Sequence, residues 1–226
     1  CIRWARKGWS CLKKYAIVVD SNILYTSYSR ADFNKFDFNI GLKNIISIIN
    51  DLKMEENIKI IIPEIVWLEI KQQRKEKFYE VYKRIKDINE KYALPNVKIS
   101  IGDIDYEQYF NKMLEDVMKS YTKEKKVYYD MPINVNYNSI IRRAINKEAP
   151  FVGGKGQSDK GFKDAVLWES ILKYKTLNNS ESIILYSNDD IFNENLKEEY
   201  KAKFDQPLKI LNNEHANCKL KWNSFC

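Results

Sequence analysis

Four acidic side chains lie beside short apolar runs, and they are the residues of this chain best suited to chemistry. Asp20 closes "YAIVVD", Glu69 lies in "IVWLEI", Asp164 in "GFKDAV" and Asp189 in "ILYSND". Carboxylates that gather repel one another and raise each other's pKa values, so a hard divalent cation is their natural neutraliser. Such a cation binds oxygen ligands, keeps some of its water and activates that water for attack on a phosphodiester. The four acids therefore predict a Mg²⁺ or Mn²⁺ centre that hydrolyses nucleic acid.

Histidine and cysteine chemistry is poorly supported by the sequence. The only histidine, His215, lies in a polar stretch near the end, which leaves little room for a Ser-His-Asp triad or a His-rich metal site. The cysteines cluster at the two ends, at positions 1, 11, 218 and 226, with no CxxC-type zinc spacing. We interpret them as incidental reduced thiols, so carboxylates must carry any catalysis.

Short β-branched runs predict the strands that position these acids. One strand ends at Asp20, a second runs through Ile62 into the helix that carries Glu69, and a third ends at Tyr186, just before Asp189. The carboxyl ends of parallel strands meet at one edge of a sheet, where ligands bind in open α/β folds. Asp164, in the first turns of a later helix, reaches the same edge if the connection is right-handed.

The remaining patterns complete an alternation of strands and helices. "NVKIS" predicts a further strand, residues 105–125 and "YNSIIRRAINKE" predict helices, and "PLKIL" predicts a last strand. "FVGGKGQSDKG" is a glycine-rich loop, and "FKDAVLWESILKY" after it predicts a strongly amphipathic helix. The alternation predicts a three-layer α/β/α fold with a central, mostly parallel sheet and an additional helical insertion at about 71–150.

Composition indicates one folded domain. With 226 residues, 44% of them hydrophobic, we expect a single domain over 12–226. Residues 1–11 lack an initiating Met and any periodicity, so we expect a leader or disordered segment there.

No apolar run approaches a membrane span or a signal peptide, so we expect a cytoplasmic protein without a membrane partner. The net charge of +7 suits a polyanionic partner, although solubility alone also explains it.

Four motifs in order, "AIVVDSNIL", "IIPEIVWLEI", "GFKDAVLWESIL" and "LYSNDDIF", resemble the PIN-domain nucleases, and most closely a PIN-like subgroup with a "GFKDA-W-E" helix. The resemblance spans roughly residues 15 to 211. It implies a metal-dependent endoribonuclease that cuts single-stranded RNA, with DNA not excluded. The family's acids fall on Asp20, Glu69, Asp164 and Asp189, which the resemblance makes both metal ligands and catalytic residues. The long segment between Glu69 and Asp164 departs from the compact toxin-type domain, and we interpret it as a substrate platform or partner surface.

Each acid also has a structural interpretation. Asp20 can cap a helix, and Asp164 can complement the dipole of the helix in which it lies. Glu64, at a helix start, can likewise complement a helix dipole. Whether Glu64 or Asp190 shares the metal site stays open. Glu169 lies roughly 140° around the helix from Asp164, so we expect it to be exposed.

Basic and polar residues near the acids are candidates for holding the substrate. Lys160 and Lys163 flank Asp164, and a phosphate backbone is commonly held by such side chains. The full set assigned to substrate binding is Asn22, Arg142, Arg143, Lys160, Lys163, Ser187 and Asn188. A second copy of the chain or a protein regulator is a further partner that the sequence leaves open.

Two other functions compete with the nuclease. One is a non-catalytic PIN-like module that binds nucleic acid or protein. The other is a metal-dependent phosphatase with an aspartyl nucleophile, a chemistry that usually places a second acid two residues after the first. Asn22 stands there after Asp20, so the phosphatase is the weaker alternative.

Overall fold

The computed structural model describes residues 13–25, 36–91, 105–123, 127–128, 131–133, 135–151 and 161–213. Several predictions fall outside these residues. They are the leader at 1–11, the strand "NVKIS", most of the glycine-rich loop with Lys160, the lone histidine and the four cysteines.

A five-stranded parallel sheet lies at the centre of the fold. Its strands are β1 (Lys14–Val19), β2 (Ile58–Ile61), β3 (Val127–Tyr128), β4 (Glu181–Tyr186) and β5 (Lys209–Leu211), in the order β3-β2-β1-β4-β5. β1 pairs with β4 so that Val19 lies opposite Tyr186. The predicted parallel sheet is confirmed, and the register brings Asp20 and Ser187, the next residue of each strand, side by side.

Seven helices flank the sheet within the described part of the chain, which confirms the three-layer α/β/α fold. They are α1 (Ser21–Tyr25), α2 (Ile40–Asp51), α3 (Glu64–Lys91), α4 (Tyr106–Lys123), α5 (Tyr137–Asn146), α6 (Phe162–Leu177) and α7 (Glu194–Phe204). α4 and α5 lie within the segment predicted to hold the helical insertion. α2 was not predicted, although Asn39 caps it by accepting a hydrogen bond from the Leu42 N–H at 2.7 Å.

The helix α6 is more deeply buried than its sequence suggests. We expected an amphipathic helix, but the consecutive residues Ala165 to Trp168 are all buried, and burial continues through Ile171 and Leu172 to Tyr174. The prediction was wrong because α6 packs against more than one neighbour. α5 lies against it near Ala165, whereas Leu167 and Trp168 belong to the main core. A helix covered on several sides has little freedom to move its first turn, which carries Asp164.

A buried lysine fixes the connection from α6 into β4. The Lys175 ammonium donates to the carbonyls of Asn179 and Glu181, at 2.5 and 2.6 Å. The Glu181 carboxylate accepts from the Tyr174 hydroxyl at 2.8 Å and pairs with Lys59 at 2.8 Å. These contacts lie at the amino end of β4, and they join α6 to the strand that leads to Asp189.

Among the described residues, no helix has the length and apolar character needed to cross a membrane.

Candidate functional site

Asp20 follows β1 and is almost completely buried, with 3% of its surface exposed. Its Oδ1 accepts from the Ser21 N–H at 2.6 Å, and its Oδ2 accepts from the Ser187 hydroxyl at 2.6 Å and from the Asn22 amide at 2.9 Å. The contact with Ser187 links the end of β1 to the end of β4. Asp20 is therefore held in one orientation by groups from both central strands.

The polar residues around Asp20 bond mainly to one another. The Asn22 amide also donates to the Ser187 hydroxyl at 3.1 Å, and Asn22 Oδ1 accepts from the Asn188 N–H at 3.1 Å. Asn188 Oδ1 in turn accepts from the Asn213 N–H at 2.9 Å. Ser187 is buried, so its hydroxyl is committed to this network. These contacts support a positioning role for Asn22, Ser187 and Asn188, which the sequence assigned to substrate binding.

Asp189 and Asp190 differ in their surroundings. The Asp189 N–H donates to the Ser187 hydroxyl at 3.0 Å, and Asp189 Oδ1 accepts from the Ile191 N–H at 3.0 Å. Both residues are exposed to solvent, but Asp189 is attached to the same serine that holds Asp20. Of the two neighbours, Asp189 is the one that hydrogen bonds link to Asp20 through Ser187.

Asp164 lies in the first turn of α6, and a glycine sets where that turn begins. Gly161 has φ +98°, a conformation that favours glycine, and a Cβ there would lie 2.6 Å from the carbonyl oxygen of Pro150. These two backbones approach closely at the start of α6, and Asp164 in the following turn lies near enough to Asp20 for their charges to interact.

The four predicted acids share one electrostatic environment. Burial raises the pKa of Asp20 to about 6; hydrogen bonds from Ser187 and Ser21 oppose the rise, and the charges of Glu69 and Asp189 add to it. The pKa of Asp164 is likewise raised to about 6, mainly by burial and also by the charges of Asp20, Asp189 and Glu69. Desolvation and mutual repulsion therefore both disfavour the charged forms, which is the condition that a bound cation relieves.

Glu69 lies on α3 and is paired with a lysine from α6. Its Oε1 accepts from the Lys163 ammonium at 2.9 Å and from the Gln73 amide at 3.1 Å. The Glu69 side chain is 17% exposed and that of Lys163 is 56% exposed. Lys163, which the sequence assigned to the substrate, thus contacts one of the acids.

The donor chemistry at this edge suits a hard divalent cation. All four side chains offer carboxylate oxygens, the ligands that Mg²⁺ and Mn²⁺ prefer. Burial is the main cause of the raised pKa values of Asp20 and Asp164, and the charges of neighbouring acids add to it. Across the described residues, no three His, Cys, Asp or Glu side chains form a ready-made metal site. Metal binding would therefore require the carboxylates to converge.

One prediction on the helix pair α5 and α6 is corrected. Glu169, expected to be exposed, has a side chain only 12% exposed and accepts from the Ser139 hydroxyl at 2.7 Å and from Arg143 Nε at 3.2 Å. Arg143, expected to bind substrate, also donates to the Ala149 carbonyl at 2.9 Å and pairs with Glu199 of α7. Its guanidinium is thus committed to joining α5, α6 and α7, while the neighbouring Arg142 is exposed.

Trp168 completes this network, and sequence reasoning did not assign it a role. Its indole N–H donates to Glu199 at 3.1 Å, so Arg143 and Trp168 contact the same carboxylate. The sequence did contain a signal for this network, because Trp168 and Glu169 follow Asp164 in the same helix.

The chain matches a known protein family. A family model described as PIN domain matches residues 17–192. Neither the curated proteins nor the solved structures that were searched contain a match.

Proposed function

Because this chain belongs to the PIN domain family, we propose that it is a metal-dependent nuclease that hydrolyses internal phosphodiester bonds of single-stranded RNA. The observation that carries the proposal is electrostatic. Carboxylates from four separate segments act on one another at one sheet edge, and the pKa values of Asp20 and Asp164 rise to about 6. PIN domains are commonly nucleases, so hydrolysis is the function that these interacting carboxylates support best.

Asp20, Glu69, Asp164 and Asp189 would hold Mg²⁺ or Mn²⁺. When bound, the ion supplies an activated water and stabilises negative charge on the phosphodiester. The chain's own residues prepare the site. Ser187 and Asn22 fix the orientation of Asp20, and the start of α6 fixes Asp164.

Substrate contact is proposed for basic residues of the set predicted from the sequence. Lys163 and Arg142 are exposed, and Lys160 belongs to the same group by sequence. Arg143 leaves this group because its guanidinium is committed to Glu169 and Glu199. The net charge of +7 supports attraction of a phosphate backbone.

A cleavage assay with three substrates tests the proposal. Wild type and Asp20→Asn are incubated with labelled single-stranded RNA, labelled single-stranded DNA and a generic phosphomonoester, each in Mg²⁺, Mn²⁺ or EDTA. We expect internal cuts in RNA that require metal and are lost in the variant. RNA binding without cleavage would indicate a non-catalytic module, and turnover of the monoester alone would indicate a phosphatase.

A further inference from the structure

The contact between Lys163 and Glu69 places a positive charge beside the acid cluster, which consists of Asp20, Glu69, Asp164 and Asp189. Lys163 precedes Asp164 on α6, and its ammonium crosses to α3, where it lies 2.9 Å from Glu69 Oε1. The Gln73 amide donates to the same oxygen at 3.1 Å. One oxygen of Glu69 therefore has two donors, one of them charged, before any ion binds.

This ion pair differs from the other lysine–glutamate pairs on the surface of α3. The pairs of Lys75 with Glu107 and of Lys77 with Glu80 join side chains that are all at least 40% exposed. Glu69 is only 17% exposed, and its charge acts directly on Asp20 and Asp164. A cation bound to Glu69 therefore reduces the repulsion felt by the buried acids, which an ordinary surface pair does not.

We propose that Lys163 is an internal counter-ion of the acid cluster, and that it competes with the divalent cation for Glu69. The inference rests on the proposed function, because it assumes that Glu69 is a metal ligand. In the exchange, Glu69 leaves the ammonium and turns to the ion. Lys163 keeps its proton and its charge, and it becomes available to a substrate phosphate beside Asp164. No proton or electron is transferred.

The structural alternative is that Lys163 merely tethers α6 to α3. A tether contributes equally with and without metal, whereas a competing counter-ion loses its partner when metal binds. The Lys163–Glu69 coupling should therefore depend on metal concentration, and this dependence separates the two roles.

A metal titration gives the first test. The melting temperature of the full chain is measured against Mn²⁺ concentration for wild type, Lys163→Met, Lys163→Arg and Lys173→Met. We expect Lys163→Met to lower the half-saturating Mn²⁺ concentration about two- to fivefold, the range of one partly exposed ion pair. Lys163→Arg should stay close to wild type because it retains the pair. Lys173→Met removes the same charge from an exposed position on the same helix, so an equal shift in this control would overturn the proposal.

A double-mutant cycle gives the second test and removes the general effect of charge. Unfolding is measured for wild type, Lys163→Met, Glu69→Gln and the double variant, in EDTA and in saturating Mn²⁺. We expect a coupling of up to about fivefold in the unfolding equilibrium constant in EDTA and none in Mn²⁺. Equal coupling in both buffers would show that Lys163 only joins α6 to α3. That result would overturn the proposed competition but not the metal centre. A wild type that neither Mn²⁺ nor Mg²⁺ stabilises would instead refute the metal centre, and the competition with it.

Discussion

The Ser187 hydroxyl lies 2.6 Å from Oδ2 of Asp20 and joins the ends of the two central strands. The two backbones also meet here, because the Asp20 N–H donates to the Tyr186 carbonyl at 3.0 Å. Asp20 is therefore buried in a rigid setting, and burial raises its pKa to about 6 despite the serine hydrogen bond. Burial of the charged Asp20 lowers the stability of the fold, but it leaves a fixed carboxylate that can bind a cation.

The first prediction concerns pH. The pKa of Asp20 rises from 3.8 to about 6 on folding, so its contribution to stability is fully present below the lower value and is lost as pH rises through about 6. In metal-free buffer the Asp20 contribution should fall by about 3 kcal/mol between roughly pH 4 and pH 7. Urea unfolding across this range measures it. Asp20→Asn should make the dependence of stability on pH shallower, and the part due to Asp164 should remain. Asp190→Asn, at an exposed position, should leave the slope unchanged. Parallel curves for wild type and Asp20→Asn would contradict the raised pKa of the buried Asp20.

The second prediction compares the neighbouring acids after β4. Both acids are exposed, but Asp189 is attached to Ser187 and its charge acts on Asp20 and Asp164. We expect Asp189→Asn to lower the rate of RNA cleavage by about tenfold or more, which corresponds to about 1.4 kcal/mol of transition-state stabilisation. Asp190→Asn should change it less than about twofold. Initial rates at saturating Mn²⁺ measure both, and a larger loss in Asp190→Asn would show that the wrong neighbour was assigned.

The third prediction concerns the arginine pair on α5. Arg143 and Glu169 are each 12% exposed, so removal of the guanidinium leaves a poorly solvated carboxylate. We expect Arg143→Ala to lower the free energy of unfolding by about 3 kcal/mol. Arg142→Ala, one residue away and exposed, should change it by less than about 0.5 kcal/mol but weaken RNA binding at low salt. Denaturant unfolding measures the stability of both variants, and filter binding measures their affinity for RNA. Equal losses of stability in Arg143→Ala and Arg142→Ala would argue against the buried network.

The fourth prediction concerns Gly161. A Cβ at this position meets the Pro150 carbonyl at 2.6 Å, and φ +98° is strained for any other residue. Gly161→Ala should therefore cost about 1–3 kcal/mol of unfolding free energy and reduce stabilisation by Mn²⁺, because the start of α6 moves. Phe162→Ala, at the next and exposed position, is the matched control and should have little effect on either quantity. If Gly161→Ala unfolds and binds Mn²⁺ like wild type, the close approach does not position Asp164.

The elements that carry the acids could be predicted from sequence because their signals are local. The apolar runs of β1 and β4 are continuous, and each is followed directly by a polar residue. Parallel pairing then brings the strand ends together without any knowledge of side-chain contacts. For the same reason Asp20 and Asp189 were identified as candidates before their surroundings were known.

The partners of the charged side chains could not be predicted, because each lies far away in the chain. Arg143 meets Glu199 on α7, and Lys163 meets Glu69 on α3. Helical spacing tells which residues share a face but not which neighbouring element covers that face. Glu169 was expected to be exposed for this reason, since nothing local indicates that α5 lies over it.

The central claim is that the acids at the ends of the parallel strands bind a divalent cation, and anomalous diffraction from a crystal soaked in Mn²⁺ tests it most directly. We predict a peak bonded to a carboxylate oxygen of Asp20 and to at least one of Glu69, Asp164 and Asp189, with Glu69 released from Lys163. The peak should be absent from an Asp20→Asn crystal soaked in the same way. A fully active crystal form with no peak at these carboxylates, or with Mn²⁺ bound elsewhere, would contradict the account.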